Sequence, residues 1–395
     1  MIPAGWSVER VGEALQIENS KRKPLSSEER SAMTGPYPYY GPTRIQGWLN
    51  EYAYRGRYAL IGEDGDHFLK YRSSSMTQIA EGKFNVNNHA HVIGSTDRCT
   101  ADWFYFYFEN KSLEAHLTRQ GAKRYKLTKA SLENIEIMFP PPAEQRRIVD
   151  ILSVWDRAIQ TAEALVANAQ EQKSALMQVL LTGRVRLPGF DREWTWSKFS
   201  DVFERVRTKN TVGDTNVLTI SAQHGLVSQT AYFNKVVASD DVRGYTLLRR
   251  GDFAYNKSYS DGYPFGAFKP LDRYDQGIVS SLYICFRLTD TGHDHDFMRH
   301  YFEAGLFNQE VAAIAQEGAR NHGLLNVSVV DFFDTSLRTP PRDEQRAIAA
   351  VINDAERNAR MLTKQRDALR GEKTALMQQL LTGKRRVNTT ESEAA

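Results

Sequence analysis

PPPAEQRRIVDILSVWDRAIQTAEALVANAQEQKSALMQVLLTGRVR, residues 140–186, returns as PPRDEQRAIAAVINDAERNARMLTKQRDALRGEKTALMQQLLTGKRR, residues 340–386, at an offset of 200 (Gln345 minus Gln145). The ends of the two copies match, PPPAEQ against PPRDEQ and ALMQVLLTGR against ALMQQLLTGK, while the middles have drifted. Self-similarity at a long period marks a duplicated architecture. Two copies are too few for a solenoid, so the pattern implies a pseudo-two-fold molecule of two half-units.

Each copy reads as one long helix. Pro140, Pro141, Pro340 and Pro341 block helix on its N-terminal side. Glu144, and Asp343 with Glu344, suit the partial positive charge of a first turn. Thr182-Gly183-Arg184 and Thr382-Gly383-Lys384 supply a glycine stop with cations beside it. The spacing predicts helix from Glu144 to Leu181, about 57 Å at 1.5 Å per residue.

The apolar spacing within the copies is that of a heptad. Steps of four and three from Ile148 give Leu152, Trp155, Ile159, Ala162, Val166, Ala169, Lys173, Leu176 and Leu180. The same steps from Ile348 give Ile352, Ala355, Ala359, Leu362, Arg366, Leu369, Lys373, Leu376 and Leu380. A seam this long needs more partner than one globular domain offers, which argues for a coiled coil over two separately packed surface helices. In an antiparallel pair the alanines make room for large side chains opposite.

Residues 1–139 and 188–339 are of a different kind, rich in aromatics and glycine, with β-type runs such as TADWFYFYFE, NVLTI and IVSSLYICFRL between turn signals. They resemble each other faintly: PAGWSVERVGEAL parallels DREWTWSKFSDVF, and QGAKRYKLTKASLENIEIMFPP parallels EGARNHGLLNVSVVDFFDTSLRTPP. The plan is globular, helix, globular, helix. Its boundaries fall at 1–139, 140–187, 188–339 and 340–386, with residues 387–395 expected to be a disordered tail.

With 395 residues the chain can hold two domains with real cores. Two cysteines, Cys99 and Cys285, are too few for a disulfide framework or a zinc site. No apolar run reaches membrane-spanning length and the N-terminus has no signal-peptide core, so a cytoplasmic protein without a membrane role is expected. The net charge of +3 is too small to announce nucleic-acid binding, and any such surface must be local.

Local clusters exist. The first globular stretch carries Lys21, Arg22, Lys23 and Arg44, the polar run Asn87-Asn88-His89, and Arg119, Lys123 and Arg124 about Gly121. The second carries Arg205, Arg207, Lys209, Gln223-His224, Asn256-Lys257-Ser258, and Arg320-Asn321-His322 after Gly318. Arginine and lysine neutralise phosphates, while asparagine, glutamine, histidine and arginine can read base edges. A solvated charged face is the alternative for any one cluster; recurrence of glycine with basic residues in both stretches favours DNA.

With PPxxEQ entering each helix, LLTG leaving it, and the stretch GKFNVNNHAHVI at 82–93, the chain resembles the specificity subunits of type I restriction-modification systems along its whole length. The resemblance implies a mixed α/β (α+β) fold: two target recognition domains joined by two long helices paired antiparallel as a spacer. It implies that each domain reads half of a bipartite, asymmetric target in double-stranded DNA. The implied partners are two methyltransferase (modification) subunits, with restriction and translocase subunits joining through the complex, in a bacterial or archaeal cytoplasm. S-adenosylmethionine, ATP and Mg²⁺ would then belong to those partners, and this chain would hold no cofactor or metal. Two readers on a stiff rod match a duplex whose grooves recur every 34–36 Å or so.

Catalytic constellations are not found. There is no phosphate-binding loop of the Gly-x-x-x-x-Gly-Lys-Ser/Thr type and no Asn/Asp-Pro-Pro-Phe/Tyr stretch. Glu171-Gln172-Lys173 matches half of a nuclease motif but sits within the heptads, and the pairs His89/His91 and His293/His295 lack a third ligand at a recognisable spacing. The alternatives to a type I subunit are the specificity part of a related type II or phage-defence system, and a coiled-coil scaffold without a DNA role.

Overall fold

The computed structural model describes residues 2–72, 74–120, 124–221, 224–233, 241–260, 262–317 and 325–388. They form two compact units, Met1–Glu163 with Thr363–Ala395, and Ala164–Leu362, so each long helix is shared between the two.

In the first unit six strands, β1 (Gln16–Ile17), β2 (Thr34–Tyr40), β3 (Ile45–Leu49), β4 (Tyr54–Gly62), β5 (Thr77–Val86) and β6 (Ala90–Gly94), make one sheet in the order β1-β6-β4-β5-β2-β3. The long β4–β5 pair runs antiparallel from Tyr54↔Phe84 to Ile61↔Thr77. The β2–β5 pair is parallel, Tyr39 opposite Asn85. Helix α1 (Ala101–Glu109) packs across β4 and β5. This helix is TADWFYFYFE, whose aromatic β-propensity the expectation followed. Thr100 instead caps it by accepting from the Trp103 amide, and Ala101, Trp103, Phe104, Phe106 and Phe108 are buried in the core. Tertiary burial of the rings overrides a propensity worth only a fraction of that.

The first long helix, α2, is Pro142–Leu180. The second unit has its own four-stranded sheet, β7 (Phe203–Arg205), β8 (Phe253–Asn256), β9 (Ala267–Pro270) and β10 (Ile284–Leu288), in the order β7-β10-β8-β9. That order repeats β1-β6-β4-β5 of the first unit. Helix α3 (His295–Glu303) packs on β9, as α1 does on β5, and Asp294 caps it through the Phe297 amide. Phe199, Phe203, Phe253, Phe286 and Phe332 fill the core beneath. The second long helix, α4, is Arg342–Leu380.

Helix α2 starts two residues before the expected Glu144 and ends one before the expected Leu181, and α4 has the matching bounds 200 residues on. Proline at the first helical position replaces an amide that has no partner anyway, so Pro142 begins α2. Gly183 (φ 70°) and Gly383 (φ 67°) then turn the chain in a backbone conformation open to glycine. Each lies under a tryptophan: a Cβ on Gly183 would stand 3.3 Å from Trp194, and one on Gly383 would stand 3.4 Å from Trp6.

Ile148, Leu152, Val166, Leu180, Ile348, Ile352 and Leu380 are buried, and Trp155, Ile159, Leu176, Leu362, Leu369 and Leu376 are half-buried. In the first unit Ile148 and Leu152 share a core with Met377, Leu380 and Leu381; in the second, Ile348 and Ile352 share one with Met177, Leu180 and Leu181. In each unit the start of one helix therefore meets the end of the other, the antiparallel arrangement.

The repeated motifs explain themselves chemically. Buried Gln145 donates to the carbonyl of Pro140 (2.8 Å) and accepts from the amide of Thr100 (3.0 Å), the cap of α1. Gln345 does the same to Pro340 (2.8 Å) and to Asp294, the cap of α3 (2.8 Å). Glu144 accepts two hydrogen bonds from Arg386 (2.7 and 2.8 Å), and Glu344 two from Arg186 (2.5 and 2.7 Å). The Glu-Gln entering one helix thus binds the Arg leaving the other and the cap of the neighbouring domain helix, so the buried Glu and Gln side chains are partnered.

Candidate nucleic-acid interface

Strand β5 ends at Val86, and Asn87-Asn88-His89 turns the chain into β6. Asn87 is 4% exposed: its Oδ1 accepts from the His89 amide (2.8 Å) and its Nδ2 donates to Gln46 Oε1 on β3 (2.9 Å). Its own amide donates to the carbonyl of Tyr40 (3.0 Å), so the turn is fixed to the β2–β3 hairpin. Arg22 braces it from the other side, donating to the carbonyls of Asn88 (3.2 Å) and Ala90 (3.0 Å) and to Glu63 (2.7 Å). His89 Nδ1 lies 2.9 Å from Asp64, and the Asn88 side chain is exposed.

These residues border an open cleft of about 730 Å³, whose polar lining includes Arg30, Arg44, Gln46, Asn87, Asn88 and His89 and no carboxylate. Arg30 lies over the Tyr39 ring, 5.6 Å from its centre. Arg44 stands exposed in the β2–β3 turn, which the Gly41 amide closes on the Arg44 carbonyl (2.8 Å). Cations and amide edges in a cleft whose lining holds no acid among the described residues suit a polyanion with readable edges.

The basic cluster at 21–23 is divided. Arg22 is held inside by Glu63 and the two carbonyls, so it is a brace rather than a free cation. Lys23 pairs with Glu51 (2.5 Å), and Lys21 lies 5.8 Å from the Tyr54 ring centre. Burial opposes charge on Glu63, but Arg22 and Lys126 outweigh it and hold its carboxyl below the usual range. Arg119 is exposed in the strand Thr118–Gln120, which pairs with Arg124–Lys126; Lys123 lies outside the described residues, as does the side chain of Arg124.

The second unit builds its surface otherwise. His224 is exposed at the tip of the hairpin Leu218–Ser221/Gly225–Ser228, and Asn256 closes a turn by accepting from the Ser258 amide (3.1 Å). The Lys257 carbonyl accepts from the Leu325 amide (3.0 Å), as the Glu63 carbonyl accepts from Leu127 (2.7 Å) in the first unit. Gln223, Arg320, Asn321 and His322 lie outside the described residues. A cavity of about 740 Å³ includes His224 with Lys269, Arg273, Arg299, Glu303 and Glu356 in its lining, but not Asn256, Lys257 or Ser258.

Residues 3–168 match the family model of the type I restriction modification DNA specificity domain. The chain is 39% identical over 142 residues to a putative type I restriction enzyme specificity subunit of Haemophilus influenzae, a match covering 36% of this chain and 35% of that protein's length. It is 23% identical over 412 aligned positions to the MjaVIII specificity subunit of Methanocaldococcus jannaschii, covering 98% of this chain and 94% of that one. The chain is thus similar to type I specificity subunits along nearly its whole length. Its fold is that of the crystal structure of the type I restriction-modification S subunit from M. genitalium, with TM-score 0.62 and 12% identity over 95% of this chain and 96% of that one.

Of the two histidine pairs, three members have structural partners in the interior or at the helix ends. His91 is buried, its Nε2 donating to the Leu127 carbonyl (2.8 Å) and its Nδ1 accepting from Asn19 (2.9 Å); burial lowers its pKa, and it is a neutral core histidine. His293 bridges Asp290 and Thr339, and His295 meets the Gly251 carbonyl (3.0 Å). Sequence reasoning missed Arg30 and Gln46. Arg30 was within reach, because Ser26 and Glu29 form a capping box that starts the helix Ser27–Ala32. Gln46 carried no signal of its own, since only the pairing of β3 with β2 brings it to Asn87.

Proposed function

We propose that the protein is the non-catalytic specificity subunit of a type I restriction-modification system. It recognises a bipartite, asymmetric sequence in double-stranded DNA, one half through each unit. Two methyltransferase subunits modify adenine there, and restriction and translocase subunits join through the complex. S-adenosylmethionine, ATP and Mg²⁺ are held by those partners. The observation that carries this reading is one strand order used twice with different surface hairpins, above all the acid-free cleft of the first unit. A shared frame with divergent edges is what two readers of different half-sites require.

The test exchanges residues 188–339 for the equivalent stretch of another specificity subunit and sequences methylated bases in a host that also carries a methyltransferase subunit. One half of a split adenine-methylated motif changes and the other stays. A motif that changes in both halves, or in neither, contradicts the assignment of one unit to one half-site, and methyl transfer by this polypeptide alone contradicts its non-catalytic role.

A further inference from the structure

The cleft of the first unit holds one side chain whose presentation is settled by its neighbours. Amide oxygen and nitrogen are normally assigned from the surrounding hydrogen bonds. Here the assignment follows from the backbone. The His89 amide is only a donor, so the Asn87 atom that receives it is Oδ1 (2.8 Å). The other Asn87 atom is then the Nδ2 donor, and the Gln46 atom it meets at 2.9 Å is Oε1. Gln46 Nε2 makes no hydrogen bond among the described residues. Gly41 closes the other side: a Cβ there would lie 2.4 Å from both Cδ and Nε2 of Gln46, so the amide rests in space that only glycine leaves open. A glutamine on a strand surface ordinarily samples many rotamers and loses entropy when it binds. This one is already held.

We propose that Gln46 is a specificity-determining residue of the first unit, presenting its Nε2 donor to a hydrogen-bond acceptor on a base edge, with buried Asn87 and Gly41 as the positioning residues that fix which end of the amide faces out. The inference rests on the DNA-reading function proposed above. Guanine offers N7 and O6, adenine N7 and thymine O4 as acceptors, whereas cytosine offers the N4 donor in the major groove. Asn87 is then a support for a contact and not itself a contact.

The experiment reads the methylated motif of the full chain assembled with methyltransferase subunits, for wild type, Gln46→Ala, Gln46→Glu, Asn87→Asp and Gly41→Ala. Gln46→Ala relaxes one position in one half-site, with roughly tenfold lost discrimination there. Gln46→Glu replaces the outward donor by an acceptor and moves that position towards a donor-bearing base. Asn87→Asp is the decisive arm. Its carboxylate still accepts from the His89 amide but cannot donate, so the Gln46 amide turns over, Nε2 inward and Oε1 outward, and the motif shifts at the same position and in the same sense as in Gln46→Glu. Gly41→Ala displaces the amide and relaxes that position too. Loss of a merely structural contact would not make Asn87→Asp copy a substitution at Gln46.

A variant without methylation is assayed by competition binding with duplexes substituted at each position of the wild-type motif; an unchanged preference overturns the proposal. An active Gln46→Glu with the wild-type motif, or Asn87→Asp and Gln46→Glu acting at different positions, overturns it as well. If the wild-type complex yields no split motif, the functional reading fails; if it does and the variants leave it intact, only the role of Gln46 fails.

Discussion

The two units put different chemistry on one frame, and the difference is sharpest at equivalent lysines. Lys373 and Lys173 occupy the same position of the repeat, each interrupting an apolar seam. In the first unit Lys373 is buried, donating to Glu109 of α1 (2.7 and 2.8 Å) and to Asp156 of α2 (2.6 Å). In the second, half-buried Lys173 meets Glu356 at 3.6 Å, and Glu356 has Arg299 (3.0 Å) and Arg360 (2.7 Å) besides. One ammonium serves two carboxylates in the first unit; three cations serve one carboxylate in the second. Duplication conserved the backbone plan and the helix-entry clamps, while the ion networks beneath each domain helix were rebuilt.

The largest expected effect breaks that comparison directly. Lys373→Met leaves Glu109 and Asp156 without their cation, and a buried charge stripped of its partner costs about 3–5 kcal/mol. Lys173→Met leaves Glu356 with two arginines and costs about 1 kcal/mol or less. Denaturant unfolding of the two variants measures both. Equal losses would mean that the lysines are interchangeable and that the burial of Lys373 has no energetic consequence.

Acid sharpens it from the other side. Burial opposes charge on Glu356, but Arg299, Lys173 and Arg360 prevail and hold its carboxyl at about 2, against an ordinary 4.5. A depressed carboxyl contributes stability that is present above its unfolded pKa and lost as pH falls through the folded one. The second unit should therefore weaken from about pH 5 towards pH 2, by on the order of 2 kcal/mol from this group. Glu109 has the opposite sign, because burial, with Asp156 adding repulsion, raises its carboxyl despite Lys373. Its contribution is present at low pH and fades as pH rises through the raised value. Melting temperatures between pH 5 and pH 3 check this: Glu356→Gln flattens the loss, and Glu109→Gln leaves it undiminished. A flattening by Glu109→Gln alone would reverse the assignment.

Much of this frame is legible in the amino-acid sequence. Heptads have a fixed period, so Ile148, Leu152, Ile348 and Ile352 can be placed on a seam, and the polar steps at Lys173 and Lys373 show there too. Their partners do not, because Glu109 lies more than two hundred residues from Lys373 in sequence. The aromatic run at 100–109 misleads because ring-rich segments fit a strand or a buried helix equally well, and only the Thr100 cap and the Asp102 charge in the first turn distinguish them. Among the site residues, Asn87, Asn88, His89 and Arg44 converge on one cleft, as short polar runs beside turns often do. Arg22 reads as a surface cation, since a sequence shows that a cation exists and not that a carboxylate and two carbonyls await it.

The smallest effect concerns two tryptophans at matching places, each lying over the glycine that ends a long helix. Trp6 Nε1 donates to Glu144 (3.3 Å), adding a third hydrogen bond to a carboxylate already held by Arg386. Trp194 Nε1 is buried without a partner among the described residues, while its ring lies 5.9 Å from the Arg186 guanidinium. Trp→Phe removes the indole N–H at both sites and leaves some empty volume at both, so the difference between the variants isolates the hydrogen bond more cleanly than either variant does alone. Losing a donor that has a charged acceptor costs about 1–2 kcal/mol, whereas deleting one that has none relieves a desolvation penalty. Trp6→Phe should therefore destabilise by about 1 kcal/mol more than Trp194→Phe, read from chemical unfolding midpoints. A larger loss at Trp194 would mean that its indole nitrogen has a partner in solution, and that the two halves of the molecule are more alike at this point than their ion networks are.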